Sequence, residues 1–189
     1  MRILTDFEKN NIKTLTKNQV SFTLIEPTET GLKKSIMDAT GSVRSFLKEN
    51  NIHDYDLQSQ GPTYKITINA TIYNGFSILK SKASLYRPIT KNGDPRIWFS
   101  GLTKTTKPND IISIVFFDQE FHIFNITQLN IDHLLSTSIH NPFKELIFEI
   151  KGLANQTAHE LLSRLREIAK AGPVPSMLEA DTSVGRTLE

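Results

Sequence analysis

The side chains best suited to chemistry in this sequence are concentrated in one basic segment. Residues 80–107 carry a net charge of +6, whereas the whole chain carries +2, so the remainder is mildly acidic. The charged residues of this segment are Lys80, Lys82, Arg87, Lys91, Asp94, Arg96, Lys104 and Lys107. Such a distribution is typical of a protein that binds a polyanion, most commonly nucleic acid. A solvated loop without a partner has the same charge pattern, so charge alone leaves both interpretations open.

The stretch from Lys80 to Arg96 mixes these cations with amide, hydroxyl and turn-forming residues. Lys and Arg neutralise phosphates, Arg pairs bidentately with guanine, and a carboxylate accepts from the cytosine amino group. We predict that Arg87 and Arg96 contact guanine and that Asp94 contacts cytosine, although Asp94 could equally cap the turn at residues 93–95. The predicted contact residues of this stretch are Lys80, Lys82, Ser84, Tyr86, Arg87, Lys91, Asn92, Asp94 and Arg96.

A second segment, residues 28–35, approaches a predicted helix with Thr, Gly, Lys and Ser side chains. These residues can bind phosphate through their side chains and through free backbone N–H groups. The spacing is not that of a Walker loop, and an ordinary connector remains the alternative. The predicted contacts here are Lys33, Lys34 and Ser35, with Gln58 and Gln60 as weaker candidates in a loop that ends at Gly-Pro.

A different chemistry is suggested by Glu149-Ile150-Lys151 on a predicted strand. This E-x-K pattern occurs in Mg²⁺-dependent nucleases, in which carboxylates hold the metal and the Lys positions water. Asp132 would be the second carboxylate. The pattern is weak, because alternating charges on any strand produce it.

The remaining composition excludes several classes of site. The chain has no cysteine, which excludes a disulfide framework, a thiolate nucleophile and a zinc ribbon. Its five histidines lack metal-site spacing, and we interpret His122 as a packed strand residue. No apolar run could cross a bilayer, and the N-terminus lacks a secretory signal. We therefore expect a cytoplasmic monomer without a cofactor, a small-molecule substrate or a membrane partner.

Alternation of apolar and polar residues predicts most of the secondary structure as strands. The predicted strands cover residues 20–24, 65–73, 76–79, 97–102, 111–117, 121–124 and 146–150, with hairpin turns at Asn74-Gly75 and Asp118-Gln119. Two helices are predicted, one over residues 43–47 that ends at Asn50-Asn51 and one that begins near Thr157 and ends at Gly172-Pro173. The expected fold is mainly β with two or more short helices, arranged as a sandwich or as an open barrel.

Several stretches of the sequence resemble MvaI/BcnI-type restriction endonucleases with an additional N-terminal domain. These stretches are Thr28-Glu-Thr-Gly-Leu-Lys-Lys-Ser-Ile-Met-Asp-Ala-Thr-Gly41, Ile52-His-Asp-Tyr-Asp-Leu-Gln-Ser-Gln-Gly-Pro62 and Tyr86-Arg-Pro-Ile-Thr-Lys-Asn-Gly-Asp-Pro-Arg-Ile-Trp-Phe99. The tail, Asp181-Thr-Ser-Val-Gly-Arg-Thr-Leu-Glu189, resembles the opening of that family's catalytic domain, where a Gly-[KR]-Thr-Leu-Glu run comes first.

The resemblance implies a recognition, or effector, domain similar to the N-terminal domain of EcoRII, with a DNA-binding pseudobarrel fold. Two arms of such a barrel grip the major groove, and they would correspond here to residues 28–35 and 80–96. The implied organisation is a pseudobarrel over residues 1–154 and a helix over residues 155–172. Residues 173–189 would then be a linker and the first residues of a catalytic domain. The resemblance also implies a CC-x-GG type of site. Catalytic residues and Mg²⁺ would belong to the catalytic domain, so residues 1–189 alone would not be an enzyme.

A third interpretation is a protein-interaction domain whose basic loop contacts an acidic partner. The sequence does not exclude it, since a basic loop attracts acidic protein surfaces as well as phosphates.

Overall fold

A seven-stranded sheet is the central element of residues 2–171, the part of the chain that the computed structural model describes. Its strands are β1 (Phe22–Ile25), β2 (Met37–Asp38), β3 (Ile66–Asn74), β4 (Ser77–Tyr86), β5 (Arg96–Phe99), β6 (Ile112–Phe117) and β7 (Glu120–Asn125). They are ordered β1-β6-β7-β3-β4-β5-β2, and β3 pairs with β7 in parallel while the other neighbours are antiparallel. The sheet curls into a half-barrel, in agreement with the predicted mainly-β open barrel.

Five α-helices accompany the sheet within the described residues. They are α1 (Asp6–Lys17), α2 (Glu29–Lys34), α3 (Gly41–Glu49), α4 (Ile131–Ser136) and α5 (Pro142–Ala171). The chain forms two compact units, Met1–Lys151 and Gly152–Glu189, and the sheet with α1 to α4 belongs to the first. None of the helices in residues 2–171 has the length and apolar character needed to span a membrane. The predicted helix end at Gly172-Pro173, the linker and the tail motif lie outside the described residues.

Both predicted hairpins are present, because period-two alternation is combined with residues that tolerate left-handed backbone. In the β3–β4 hairpin, Asn74 still belongs to β3, and the turn consists of Gly75, with a φ of +61°, and Phe76. The predicted Asn74-Gly75 turn is therefore wrong by one residue. In the β6–β7 hairpin, Asp118 and Gln119 have φ values of 48° and 60°, as a two-residue type I′ turn requires.

The sheet separates two apolar clusters, and adjacent residues of one strand belong to different clusters. Ile72 and Ile123 lie in the first cluster, whereas Tyr73 and Phe124 lie in the second. The first cluster includes Val43 and other buried residues of α3, as predicted for that helix, and the second includes buried residues of α1, α4 and the beginning of α5. This alternation is the direct result of side chains pointing to opposite faces of a pleated strand.

The strand predicted over residues 146–150 is wrong, since these residues belong to α5. Leu146 is buried together with Phe143 and Ile147, an i, i+3, i+4 spacing that forms one helical stripe. Phe148, by contrast, is 56% exposed. The alternating Leu146, Phe148 and Ile150 imitate a strand, but burial follows the helical period.

The second predicted helix exists but begins well before Thr157. Asn141 caps the start of α5, because its side-chain oxygen accepts from the backbone N–H of Phe143 at 3.0 Å. Pro142 then occupies the first turn, where its missing N–H costs nothing. Thr157 is an interior helical residue whose hydroxyl donates to the Leu153 carbonyl, so the predicted helix start near Thr157 is wrong.

Helix α1, which the sequence patterns did not predict, is fixed by a buried carboxylate. Glu8 is fully buried and accepts from Arg2 Nη1 at 2.8 Å and from the Thr5 backbone N–H at 2.8 Å. The Thr127 hydroxyl donates to Glu8 and itself accepts from the Ile111 N–H at 2.8 Å. The carboxylate therefore links the N-terminus of α1 to the strand ends at β6 and β7.

Glu8 makes the stability of the fold dependent on pH. The Arg2 guanidinium lowers the pKa of Glu8 to about 2, against roughly 4.3 in an unfolded chain. The stabilisation is thus complete above pH ~4.3 and is lost as the pH falls towards 2. We expect Glu8→Gln to lower the free energy of unfolding by about 2–3 kcal/mol at pH 7 and by roughly half as much at pH 3.

Urea unfolding at the two pH values measures this difference, and Glu49→Gln, at an exposed carboxylate, is the matched control. An equal loss for Glu8→Gln at pH 7 and pH 3 would show that charge at this position is unimportant.

Candidate nucleic-acid interface

The two segments predicted to contact DNA line a single cleft of about 490 Å³. The first segment contributes Thr28, Thr30, Gly31 and Lys34, and the second contributes Tyr86, Pro88, Thr90, Lys91 and Arg96. The other lining residues are Ile25, Glu26, Ile36, Met37, Asp38 and Thr40, from β1, β2 and their flanks. Two segments that are far apart in sequence are therefore neighbours in the fold.

The first segment contains the short helix α2, and specific contacts at both of its ends fix its position. The Thr28 hydroxyl caps the helix by accepting from the Gly31 N–H at 2.9 Å. A Cβ at Gly31 would lie 2.7 Å from the Ile36 carbonyl oxygen, so only glycine permits this close return of the chain. Leu32 is buried in the first apolar cluster, which leaves the lysines of the helix on its exposed side.

Of the three predicted contacts at the end of α2, Lys34 is the best placed. Its side chain is exposed and lines the cleft. Lys33 is also exposed, but its Nζ forms an ion pair with Glu29 Oε1 at 2.6 Å, one helical turn away. Ser35 ends the helix in a left-handed conformation, with a φ of 55°, and is exposed without lining the cleft.

The beginning of the second segment is strand, so the predicted strand end at residue 79 is wrong. Strand β4 continues to Tyr86, with Ala83 and Leu85 buried while Lys82 stays exposed. Only residues 87–95, which we call the arm loop, leave the sheet. At about 3.3 Å per residue, Lys80 lies about 20 Å along the strand from Tyr86.

Lys80 and Lys82 consequently lie outside the cleft. They line a separate shallow depression with Asn69, Ala70, Ser81, Ser100 and Glu120. Lys80 Nζ donates to Thr71 Oγ1 at 2.9 Å and forms an ion pair with Glu120 at 3.4 Å. Ser84, on the same face of β4, is half-buried and pairs with Trp98 of β5. The predicted contacts therefore separate into a cleft group and a strand group.

Arg87 holds the arm loop against the body of the domain. Its Nε donates to the Gly93 carbonyl at 2.8 Å, and its Nη1 donates to the Tyr55 and Gln58 carbonyls at 3.2 and 3.4 Å. The Arg87 carbonyl accepts from the Gly61 N–H at 2.8 Å. Because Nε and Nη1 both donate to these carbonyls and Arg87 does not line the cleft, we interpret Arg87 as a residue that positions the loop instead of one that reads guanine.

The two glutamines support the same region from beneath. Gln58 is buried, and its Nε2 donates to the Tyr64 and Leu85 carbonyls at 2.7 and 3.1 Å. His53 Nε2 lies 3.2 Å from Gln58 Oε1, and burial lowers the pKa of His53, which favours its neutral form. Gln60 packs against the arm loop at Gly93. We therefore leave Gln58 out of the interface and assign Gln60 a supporting position.

The tip of the arm loop has strained backbone. Lys91, Asn92 and Gly93 have consecutive φ values of 54°, 55° and 72°. The turn is closed by Gly93 N–H to Thr90 carbonyl at 3.2 Å and by Asp94 N–H to Lys91 carbonyl at 3.1 Å. Each left-handed residue other than glycine costs about 1–2 kcal/mol. Such strain in an exposed loop is characteristic of functional segments.

Arg96 and Asp94 differ in the interactions that their side chains make within the domain. The Arg96 guanidinium pairs with Asp38, and its side chain is 13% exposed, although it lines the cleft and has further N–H donors. The Tyr55 hydroxyl donates to the Arg96 carbonyl at 2.8 Å, and burial raises the pKa of Tyr55, which keeps that proton in place. Asp94 is exposed, and within residues 2–171 its carboxylate has no hydrogen bond or ion pair. It therefore does not cap the turn through its side chain.

The sequence patterns did not indicate Asp38, which pairs with Arg96, as part of the site. It lies on the two-residue strand β2, opposite Arg96 in the register with β5. Nothing in a Met-Asp dipeptide predicts this pairing, which results from the return of the chain after α2.

The alternative metal site is not assembled. Glu149 and Lys151 belong to α5, where residues two apart point about 200° from each other, so the predicted E-x-K strand is wrong. Asp132, the proposed second carboxylate, begins α4 and accepts from the Thr14 hydroxyl at 2.7 Å. Among residues 2–171, no group of three His, Cys, Asp or Glu side chains could hold a metal ion.

The interpretation of His122 as a packed residue is confirmed. It is buried on β7, with Nδ1 at 3.1 Å from the Tyr73 hydroxyl, and burial lowers its pKa.

Comparisons of the chain with protein-family models, with curated proteins and with solved structures gave no match. The case for a function therefore depends on the cleft itself.

The strain at the arm tip predicts an unusual response to substitution. Lys91→Gly should raise the free energy of unfolding by about 0.5–1 kcal/mol, because glycine adopts the left-handed conformation without a Cβ clash but loses more entropy on folding. Lys91→Ala removes the same charge and keeps the strain, so its stability should stay close to wild type. Urea unfolding of the three proteins measures the effect, and equal changes in the two variants would contradict it.

Proposed function

We propose that this domain binds double-stranded DNA sequence-specifically through two arms, the end of α2 and the arm loop. The observation that supports this best is the shared cleft, in which both segments chosen for their charge and turn chemistry meet. Lys34, Lys91 and Arg96 bring three cations to it. The major groove, about 12 Å wide, admits elements of this size.

The arms carry the donors and acceptors that phosphate contact and base reading require. Lys34 and Lys91 are exposed and suited to phosphates, and Arg96 keeps N–H donors for guanine beyond its pair with Asp38. Asn92 and Asp94 are exposed at the tip and suited to adenine and to the cytosine amino group. A clamp that bound phosphates alone would have no use for the uncompensated carboxylate.

We further propose that the domain is the recognition, or effector, domain of an MvaI/BcnI-type restriction endonuclease with a DNA-binding pseudobarrel fold. The sequence resemblance supports this, and so does the position of the arms. One follows the first strand, and the other joins β4 to β5. In this proposal the site is of the CC-x-GG type, and Mg²⁺-dependent cleavage belongs to a separate catalytic domain.

The chain offers a built-in reporter for the test. Trp98 is its single tryptophan and lies half-buried on β5, beside the strand that leads into the arm loop. We would titrate the metal-free protein with a duplex containing CC-A-GG and with a scrambled duplex, at two salt concentrations, by fluorescence and gel shift. Tight binding to the first duplex alone, weakening steeply with salt, is expected. Absence of binding to any DNA at low salt would instead favour an acidic protein partner.

Phosphate-contacting and base-reading residues should respond differently to substitution. Lys34→Gln should weaken binding to both duplexes alike and reduce the salt slope by about 1. Arg96→Lys keeps the charge beside Asp38 but loses the guanidinium fork, so discrimination should fall by about 1–3 kcal/mol. Lys13→Gln, at an exposed cation on α1, is the control. Unchanged discrimination in Arg96→Lys would remove that residue from base reading.

A further inference from the structure

The arm loop exposes one large aliphatic side chain, and neither phosphate nor polar base contacts explain it. Ile89 is 72% exposed and lies between Pro88 and Thr90, which line the cleft. Exposed apolar residues are common on protein surfaces, so exposure alone indicates nothing. The informative feature is its position, within the segment proposed to enter the major groove.

The backbone on both sides of Ile89 is held in place. Arg87 is tied to Gly93 and to the residue 55–58 loop, and the Gly61 N–H donates to the Arg87 carbonyl. The Ile89 side chain lies beside Gly61, since a Cβ added at Gly61 would be 3.6 Å from Ile89 Cγ1, an ordinary contact distance. A β-branched side chain has few χ1 rotamers. Ile89 is therefore an exposed apolar side chain with little conformational freedom, and fixing it in an interface costs little entropy.

We propose that Ile89 recognises the C5-methyl group of a pyrimidine, in thymine or in 5-methylcytosine, in the major groove. This inference rests on the proposed DNA binding and adds a specificity determinant to it. The thymine methyl is the apolar group among the hydrogen-bonding groups that base pairs present in the major groove, and aliphatic side chains contact it. Contact with the methyl removes apolar surface of both partners from water, and Ile89 is the large, exposed aliphatic side chain of the arm loop.

The expected size of the effect follows from the burial of one methyl group. Its transfer out of water corresponds to about fourfold in affinity for each methyl contacted. The contact should therefore tune discrimination between pyrimidines, while the polar contacts of the arms supply most of the affinity.

The test is a cycle that removes the methyl from the DNA and the side chain from the protein. A randomised duplex pool is first selected on wild-type protein. The enriched duplex is then prepared with thymine, with deoxyuridine in place of thymine, and with 5-methylcytosine in place of cytosine. Dissociation constants are measured on each for wild type, Ile89→Ala, Ile89→Val and Ile139→Ala, which truncates a 61% exposed isoleucine outside both arms.

A thymine contact predicts that wild type binds the deoxyuridine duplex about fourfold more weakly and that Ile89→Ala loses this preference. Ile89→Val should keep most of it, and Ile139→Ala should keep all of it. If 5-methylcytosine is the natural source, its duplex should bind wild type more tightly, and Ile89→Ala should abolish that gain.

The proposal is overturned if wild type ignores both methyl groups, or if Ile89→Ala keeps a methyl preference intact. Either result would leave sequence-specific DNA binding standing. Failure of the pool to enrich any duplex over scrambled DNA would overturn the proposed function, and the Ile89 contact with it. The two failures are thus distinguishable.

Discussion

The hydrogen bonds of the Arg87 guanidinium are the constraint on which the position of the arm loop depends. They connect the arm loop at Gly93 to the loop that contains Tyr55 and Gln58. The planar fork of arginine suits this task, because it donates in two directions from one rigid group, which a lysine ammonium on a flexible stem does not do. Without this bridge, the left-handed tip has only two backbone hydrogen bonds within itself to offset its strain. One of the two arginines predicted to contact guanine is thus used by the fold internally.

Most of the support beneath the cleft consists of neutral, buried hydrogen bonds. Gln58 joins two backbone carbonyls, and the protonated Tyr55 hydroxyl fixes the beginning of β5 at Arg96. Neutral hydrogen bonds are little affected by salt, whereas contacts of exposed lysines with phosphate release counterions and weaken steeply. The scaffold should therefore keep its shape over the range of ionic strength in which the proposed DNA binding would change. A steep salt dependence of that binding could then be assigned to phosphate contacts and not to unfolding of the arm loop.

The sequence predicts the sheet better than the helices, for a physical reason. The β3–β4 and β6–β7 hairpins combine alternation with turn residues, so two independent signals agree. Helix α1 escapes prediction because three of its four buried positions are polar: Glu8, Asn11 and Thr14. These side chains are buried through specific hydrogen bonds to the rest of the chain, which no periodicity shows. In α5, two periods are present in one stretch, and only tertiary packing decides between them.

In the candidate site, too, local sequence signals predict some features and tertiary packing decides the others. Charge and turn chemistry identify the segments, since both are local properties. The role of each side chain depends on what the fold places beside it. Gln58 is buried beneath the site instead of contacting a partner. Lys82 lies about 13 Å along β4 from Tyr86, where the strand ends and the arm loop begins.

The strained backbone at the tip of the arm loop places polar side chains on its surface. A glycine at position 91 or 92 would adopt the same backbone at lower cost, yet the chain places a lysine and an asparagine there, both exposed. The left-handed turn directs their side chains outward from a loop that Arg87 holds rigid. Holding the backbone of such a loop in advance reduces the entropy lost when a partner is bound. The strain is then a consequence of presenting polar groups at a fixed tip, which a flexible loop of the same composition would not achieve.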